Sequence, residues 1–194
     1  GKFSSVWYGA TLRADVSSIT VGEHTTIGDR VMVHCSSQPK EFPTKIGNNV
    51  VVEAGCILHG CEIQDGSYIG EGTQVLDGAR VEKNAAVAAG SLVSLGKVVP
   101  TGQLWGGVPA TFQRNLTEDE IAAIRAASIE NAELSVFHTV ETSKNWEEIE
   151  HDEYEWDQTM YRPADAKVRP QSDADKRKYT GPGSILNTDL VEKY

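Results

Sequence analysis

The chain has 194 residues, of which 39% are apolar and 24% are charged, and its formal net charge is −10. This length fits one domain, or one domain with an appendage, and the composition is typical of a globular protein. The acidic balance argues against a general nucleic-acid binder, which needs a basic face, and the weakly polar runs are too short to predict a membrane-spanning helix.

The charge divides the chain into two parts of different character. Residues 1–116 hold 10 acidic and 9 basic residues and are rich in glycine and valine, whereas residues 117–194 hold 18 acidic and 9 basic residues. The first part is nearly neutral and the second has a net charge of −9. We therefore treat residues 1–116 as one structural unit and the acidic remainder as additions to it.

An aliphatic residue recurs every six positions through most of the first part. The residues in register are Val21, Ile27, Val33, Ile46, Val52, Leu58, Ile63, Ile69, Val75, Val81, Val87 and Val93, with one five-residue step before Ile63. The residue four positions after each is usually small or branched, as at Thr25, Cys56 and Ser67. A period of six differs from the 3.6-residue period of a helix and from the alternation of a hairpin sheet. So many aliphatics in register also argue against a chance run in an ordinary β protein.

The repeat predicts a parallel β-helix, in which six residues form a short strand and a corner, and three strands close one triangular coil of about eighteen residues. The aliphatic residue points inward, and stacked coils pair their strands in parallel at about 4.8 Å per rung. Residues 39–45 interrupt the register with two prolines and three charges, which predicts an excursion from a corner.

Two additions follow the repeat. A helix that packs on the β-helix is predicted within residues 117–145, because Thr117 and Glu120 form a capping-box pattern ahead of a mixed apolar face. We expect that helix to run from about Glu118 to Thr139. Residues 146–194 are predicted to form an acidic, extended tail that contacts partners rather than a core of its own.

The chain contains three cysteines, Cys35, Cys56 and Cys61. The odd count implies no disulfide framework, and a C-x-x-C motif is absent. We expect all three to be small buried hydrophobic residues of a protein from a reducing compartment.

Two of the five histidines occupy the same point of the repeat. His34 directly follows the inward Val33, and His59 directly follows the inward Leu58. The separation of 25 residues is one coil plus the seven-residue excursion, so the two imidazoles should stack on one face and could converge on a metal ion. Two unliganded surface histidines remain the alternative. Zinc needs a third protein ligand, which would have to come from a neighbouring subunit.

Three segments carry a resemblance to a known family: SVWYGATLRADVSSITVG, VVEAGCILHGC and QLWGGVPATFQRNLTEDEI. They are similar to the gamma-class carbonic anhydrases and their mitochondrial relatives, over roughly residues 3–125. The resemblance implies a left-handed β-helix, a trimer, and zinc held between subunits by two histidines of one subunit and one of the next. It also implies that the chain is similar to accessory subunits of respiratory complex I.

Carried onto this sequence, the resemblance implies that His34 and His59 are the two zinc ligands from one subunit. The ligand that the family supplies to the neighbouring subunit lies five residues before the position of His59, which here is Ala54. Alanine has no ligating group. A homotrimer of this chain would therefore have two histidines at each interface, whereas a heterotrimer could complete one interface.

Four further positions relate to the family pattern. Arg13 and Asp15 match an interface Arg–Asp pair near the site, for which a structural salt bridge at a subunit contact is the simpler interpretation. Asp29 matches an acid of the family motif and could instead cap a corner. The glutamine that precedes this acid in the family, where it positions metal-bound solvent, is Gly28 here.

Three functions are compatible with the sequence. The first is an accessory subunit of mitochondrial complex I on the matrix side of the inner membrane, with a structural or assembly role in a heterotrimer and an incomplete metal site of its own. The second is a zinc-dependent carbonic anhydrase that hydrates carbon dioxide only at an interface completed by a neighbour. The third is a hexapeptide acyltransferase, which shares the β-helix.

Overall fold

The computed structural model describes residues 1–37 and 41–160, with side chains up to residue 156. Within these residues the chain forms seventeen strands followed by two helices. The strands are β1 (Ser5–Val6), β2 (Thr11–Arg13), β3 (Ile19–Val21), β4 (Thr26–Ile27), β5 (Met32–His34), β6 (Thr44–Ile46), β7 (Val51–Val52), β8 (Ile57–His59), β9 (Glu62–Ile63), β10 (Tyr68–Ile69), β11 (Gln74–Val75), β12 (Arg80–Val81), β13 (Ala86–Val87), β14 (Leu92–Val93), β15 (Val98–Val99), β16 (Gln103–Gly106) and β17 (Thr111–Asn115). The helices are α1 (Glu118–Ser143) and α2 (Trp146–Met160).

The strands form the predicted left-handed parallel β-helix of about five coils. Every third strand is a neighbour, so three sheets run along the three sides, in the orders β1-β4-β7-β10-β13-β16-β17, β14-β11-β8-β5-β2 and β15-β12-β9-β6-β3. Pairing within the sheets is parallel except between β16 and β17, which form an antiparallel hairpin at the last coil.

The six-residue pattern marks the core correctly. From Ile27 onward every aliphatic in register is at most 4% exposed, and the series continues through Val99. These residues form one continuous apolar column. The small residues at the corners are buried as well, and Thr25, Cys56 and Ser67 are each 0% exposed. All three cysteines are buried and free, as predicted.

The excursion leaves the second coil where the sequence predicts it, although residues 38–40 of it lie outside the described residues. A backbone bridge between Ser36 and Phe42 closes its base. Phe42 lies against Gly60 and Gly78, at the corner positions of the next two coils. Phe42 therefore covers the corner, and strand β6 that follows regains its register.

Helix α1 begins with the capping box that the sequence predicts. The hydroxyl of Thr117 accepts a hydrogen bond from the Glu120 amide at 3.2 Å, and the Glu120 carboxylate accepts one from the Thr117 amide at 2.9 Å. Arg114, on β17, donates two further bonds to the same carboxylate. The helix contacts β1, β4 and β7 and ends at Ser143, four residues beyond the predicted end.

The first part of the acidic tail is helical, which differs from the extended conformation expected for residues 146–194. Helix α2 has its own reciprocal cap, because the Asn145 side chain accepts from the Glu148 amide and the Glu148 side chain accepts from the Asn145 amide. Acidic residues in the first turn add a favourable interaction with the helix dipole. The rest of the predicted tail, residues 161–194, lies outside the described residues. In the described part of the chain, no helix has the length and apolar character needed to cross a membrane.

The start of α1 generates a prediction on acid stability. Hydrogen bonds from Arg114 and from the Thr117 amide lower the pKa of Glu120 to about 2. Because the pKa of Glu120 is lower in the folded state than its ordinary value of about 4.5, the ionised carboxylate stabilises the folded state above about pH 4.5. This contribution is lost as the pH falls towards 2. We expect Glu120→Gln to lower the melting temperature at pH 6 and to have no effect near pH 2, as measured by circular dichroism. Glu118→Gln, a matched change in the same turn, should give a smaller difference at pH 6, and an equal difference would contradict the assignment.

Candidate metal centre

The two histidines singled out by the repeat lie side by side. His34 on β5 pairs with His59 on β8, and their ring centroids are 4.8 Å apart. Both point outward because Val33 and Leu58, the preceding residues, point into the core. The side chains are 17% and 33% exposed. The stacking that the spacing predicts is therefore present.

Asp77 orients the His59 ring. Its Oδ1 atom lies 2.5 Å from Nδ1 of His59, and its side chain is 20% exposed. An ionised carboxylate only accepts, so the hydrogen bond assigns a proton to Nδ1, and in the neutral ring this leaves Nε2 with its lone pair. A carboxylate that fixes the ring in this way is the usual outer partner of a metal-binding histidine. The sequence analysis did not single out Asp77, which lies one position beyond the residue level with His59 on the next coil.

Asp15 bridges Arg13 and His34. Its two carboxylate oxygens lie 2.7 Å from Nε of Arg13 and 3.1 Å from Nε2 of His34. Slight desolvation raises the pKa of Asp15, but the hydrogen bonds from His34 and Arg13 outweigh it, so the net pKa is lowered. Because the ionised Asp15 accepts from Nε2 of His34, that nitrogen carries a proton here. His34 could ligate through Nε2 only after it releases Asp15.

Asp29 has a different local function. Its Oδ1 atom accepts a hydrogen bond of 3.0 Å from the backbone amide of Tyr8, across one coil. This contact matches the corner-capping interpretation of the sequence. The structure thus gathers Arg13, Asp15 and His34 with His59, whereas the carboxylate of Asp29 holds two coils together.

The two positions that depart from the family pattern touch each other. Ala54 lies in the turn between β7 and β8 and is half-buried, and its methyl group offers no ligand atom. A Cβ atom on Gly28 would lie 2.9 Å from the Ala54 amide nitrogen and 2.8 Å from the Val52 carbonyl oxygen. A side chain at position 28 would therefore require the backbone around Ala54 to shift.

The donor set fits part of a zinc site. His59 presents an unprotonated nitrogen, and His34 adds a second ring beside it. Among residues 1–37 and 41–156, no group of three or more His, Cys, Asp or Glu is arranged to hold a metal ion. Catalytic zinc typically has three protein ligands and an open position. The described residues therefore bring together two of the histidines that such a site would need.

Other titratable groups have structural surroundings. Burial raises the pKa of Cys56 to about 11 and that of Cys61 to about 12, so both thiols are neutral near pH 7 and unsuited to bind metal. His138 on α1 is half-buried. Its Nδ1 atom lies 2.9 Å from the Tyr8 hydroxyl, and its ring lies edge-on to Trp7.

Comparison with known proteins matches this chain to a hexapeptide-repeat family and to proteins named as carbonic anhydrases. Residues 43–76 match the family model described as bacterial transferase hexapeptide (six repeats). A probable carbonic anhydrase of Methanocaldococcus jannaschii is 49% identical over 74% of this chain and 87% of its own length. The mitochondrial gamma carbonic anhydrase 2 of Arabidopsis thaliana is 45% identical over 77% of this chain and 55% of its own.

Among solved structures, a hexapeptide transferase family protein of Anaplasma phagocytophilum has 41% sequence identity and a TM-score of 0.64. The match covers 69% of this chain and 77% of that one. The chain spans little more than half the length of the Arabidopsis gamma carbonic anhydrases that it matches, 55% to 59%.

The packing beside His59 generates a prediction. Gly60 has a φ of +56°, and a Cβ there would collide with Asp77 Oδ1 and lie 2.8 Å from Cβ of Phe42. Gly72 has a φ of +66° with no neighbouring atom within 4 Å of a Cβ. We expect Gly72→Ala to lower the free energy of unfolding by about 1–2 kcal/mol, from backbone strain alone. Gly60→Ala should cost more, because it also displaces Asp77 and Phe42. Urea unfolding measures both, and equal costs would contradict close packing of Asp77 at this corner.

Proposed function

The chain belongs to the gamma-class carbonic anhydrase family, and we propose that it serves as an accessory subunit of mitochondrial respiratory complex I, with a structural or assembly role in a trimer of homologous subunits. The observation that carries the proposal is Ala54. It stands where the family supplies a ligand to the neighbouring subunit, while His34 and His59 are retained. A chain of this kind can receive a ligand but cannot donate one.

The exposed face around the histidines supports contact with a homologous subunit. Met32 on β5 and Ile57 on β8 lie two residues before His34 and His59, so all four project from the same side of the sheet. The first two are 47% and 37% exposed. Adjacent aliphatic residues beside a polar cluster are typical of a protein–protein contact surface.

The mitochondrial assignment is supported by the Arabidopsis relative, whose name places it in that organelle. The complex I assignment is supported by the resemblance to the family's mitochondrial members, and the matrix side of the inner membrane follows from it. Native electrophoresis of solubilised mitochondrial membranes, probed for this chain, tests both. Comigration with the NADH dehydrogenase activity of complex I is the expected result, and migration as a small free trimer would overturn the proposal.

The second candidate is carbon dioxide hydration at an interface between this chain and a subunit that keeps the missing histidine. The oriented ring of His59 favours it, since Asp77 serves no evident purpose on an unliganded surface histidine. When bound, zinc would lower the pKa of a coordinated water to near neutrality. Asp77 would hold the His59 imidazole in place, whereas His34 would have to release Asp15 to bind through Nε2. Zinc in the native assembly, lost on His34→Ala, would support this candidate, and a zinc-free native assembly would exclude it.

Acyl transfer is the third candidate. It rests on the β-helix and on the name of the Anaplasma relative. Saturable binding of acetyl-coenzyme A by the chain would favour it, and its absence would leave the two candidates above.

The vacant ligand position generates a prediction on metal binding. In the purified chain, Ala54→His should add the third ligand at each interface of a homotrimer. We expect the affinity for zinc to rise by at least about tenfold, since even loss of an outer-sphere partner changes affinity by that factor. Competition with a chromogenic chelator measures it.

Two controls define the result. The double variant Ala54→His with His34→Ala should fall back to the original affinity, and Ala126→His, on the surface of α1, should bind no tighter than the original chain. Equal zinc affinity of the original chain and Ala54→His would show that position 54 faces no shared metal site.

A further inference from the structure

Helix α1 has two apolar faces, and the described part of the chain covers only one of them. The inner face contacts β1, β4 and β7, and it includes Ser128, which is fully buried, and the His138 ring against Trp7. On the outer side Val136, Phe137 and Val140 are 65%, 62% and 56% exposed. A row of large apolar side chains left in solvent on one helix indicates a contact surface.

The outer side follows the spacing of a helix–helix seam. We define the outer seam as Ala126, Ile129, Glu133, Val136 and Val140, which are separated by steps of three, four, three and four residues. This alternation keeps the residues on one side of the helix and is the a/d pattern of a coiled coil. Leu134 is also exposed, to 44%, but it lies roughly 140° around the helix from Ile129 and does not belong to the seam.

Glu133 decides what can cover the seam. It is the single charged residue among the five, and it lies at the centre. A charged residue at such a position costs stability unless a partner of opposite charge faces it, and it thereby fixes which helix can pair. In a pair of identical helices arranged around the centre of the seam, Glu133 would face Glu133.

The wider charge distribution also favours a cationic partner over a second copy of this chain. Residues 117–160 hold thirteen acidic residues and two basic ones, a net charge of −11, which exceeds the chain's net charge of −10, so all of the excess negative charge lies in the two helices and their flanks. A second copy of α1 and an anionic membrane surface would both be repelled. A cationic helix would be attracted.

We propose that the outer seam of α1 docks an amphipathic helix of a different protein, whose apolar a/d residues cover Ile129, Val136 and Val140 and whose Lys or Arg faces Glu133. This mode is helix-on-helix recognition through anchors at i, i+7 and i+11. The proposal does not depend on the metal centre, because sheet β14-β11-β8-β5-β2 carries the histidines and α1 lies against the sheet that begins with β1.

Photocrosslinking in the native assembly tests the proposal. The full chain, produced in its own cells, carries p-benzoylphenylalanine at position 136, and a matched sample carries it at position 134, off the seam. Crosslinked peptides are sequenced by mass spectrometry. The expected result is a crosslink from position 136 to a peptide of another polypeptide that has a heptad apolar pattern and a Lys or Arg at the position facing Glu133. A crosslink to a second copy, to a peptide without that pattern, to lipid, or none above the yield at position 134 would overturn the proposal.

A charge variant separates the seam from general acidity. Glu133→Lys should reduce the crosslink yield from position 136 by at least about tenfold, because the ion pair becomes a repulsion in a desolvated contact. Glu141→Lys, the same change on α1 but off the seam, should leave the yield within about twofold. Equal melting temperatures of the two variants exclude unfolding as the cause. Equal reduction by both variants would show that only net charge matters and would overturn the role of Glu133.

Discussion

The stacking of inward aliphatic residues governs the rest of this structure. Each coil must place three of them over the three below, because a shift of one residue would turn an aliphatic side chain to solvent and a polar one into the column. The chain meets this constraint with unequal coils. Along the sheet that carries the histidines, successive partners Thr11, Met32, Ile57, Gln74 and Leu92 are separated by 21, 25, 17 and 18 residues. The extra residues leave at corners, and the strands keep their register.

This register also builds the metal centre. His34 and His59 meet only because the excursion adds seven residues to one coil. The next coil has seventeen residues, so His59 is level with Leu76, and Asp77 at the following position reaches the His59 ring. On a β-helix the number of residues in a coil therefore decides which side chains become neighbours, just as the 3.6-residue turn does on an α-helix. A deletion within the excursion that left Phe42 against Gly60 and Gly78 would alter only the loop. An insertion or deletion of one residue inside a strand would shift the register and separate the rings of His34 and His59.

The same reasoning explains what could be predicted from the sequence. The core and the histidine pair follow from a period of six, since that period fixes which side chains point inward and which coincide on neighbouring coils. The contact between His138 and Tyr8 could not be predicted, because it depends on how far α1 rises beside the sheet. From Glu118 to His138 an α-helix rises about 30 Å, close to the height of seven strands at about 4.8 Å spacing. The start of α2 was missed for a different reason. Asn145 and Glu148 form a cap with the spacing that identified α1, but the acidic sequence around them obscured it.

The groups that orient the two imidazoles give Ala54 its context. Asp77 is 20% exposed and is hydrogen-bonded to His59, and withdrawing a carboxylate from water in this way is costly unless it is paired. The departures lie together at Gly28 and Ala54, on the donor side of the pattern, and the backbone there has closed so that Gly28 admits no side chain. Under the proposed function, His34 and His59 would receive a ligand from a neighbouring subunit that Ala54 could not give in return. Such an asymmetry would suit the subunit to one particular neighbour, and the negative charge of α1 and α2 would add a second basis for selecting partners.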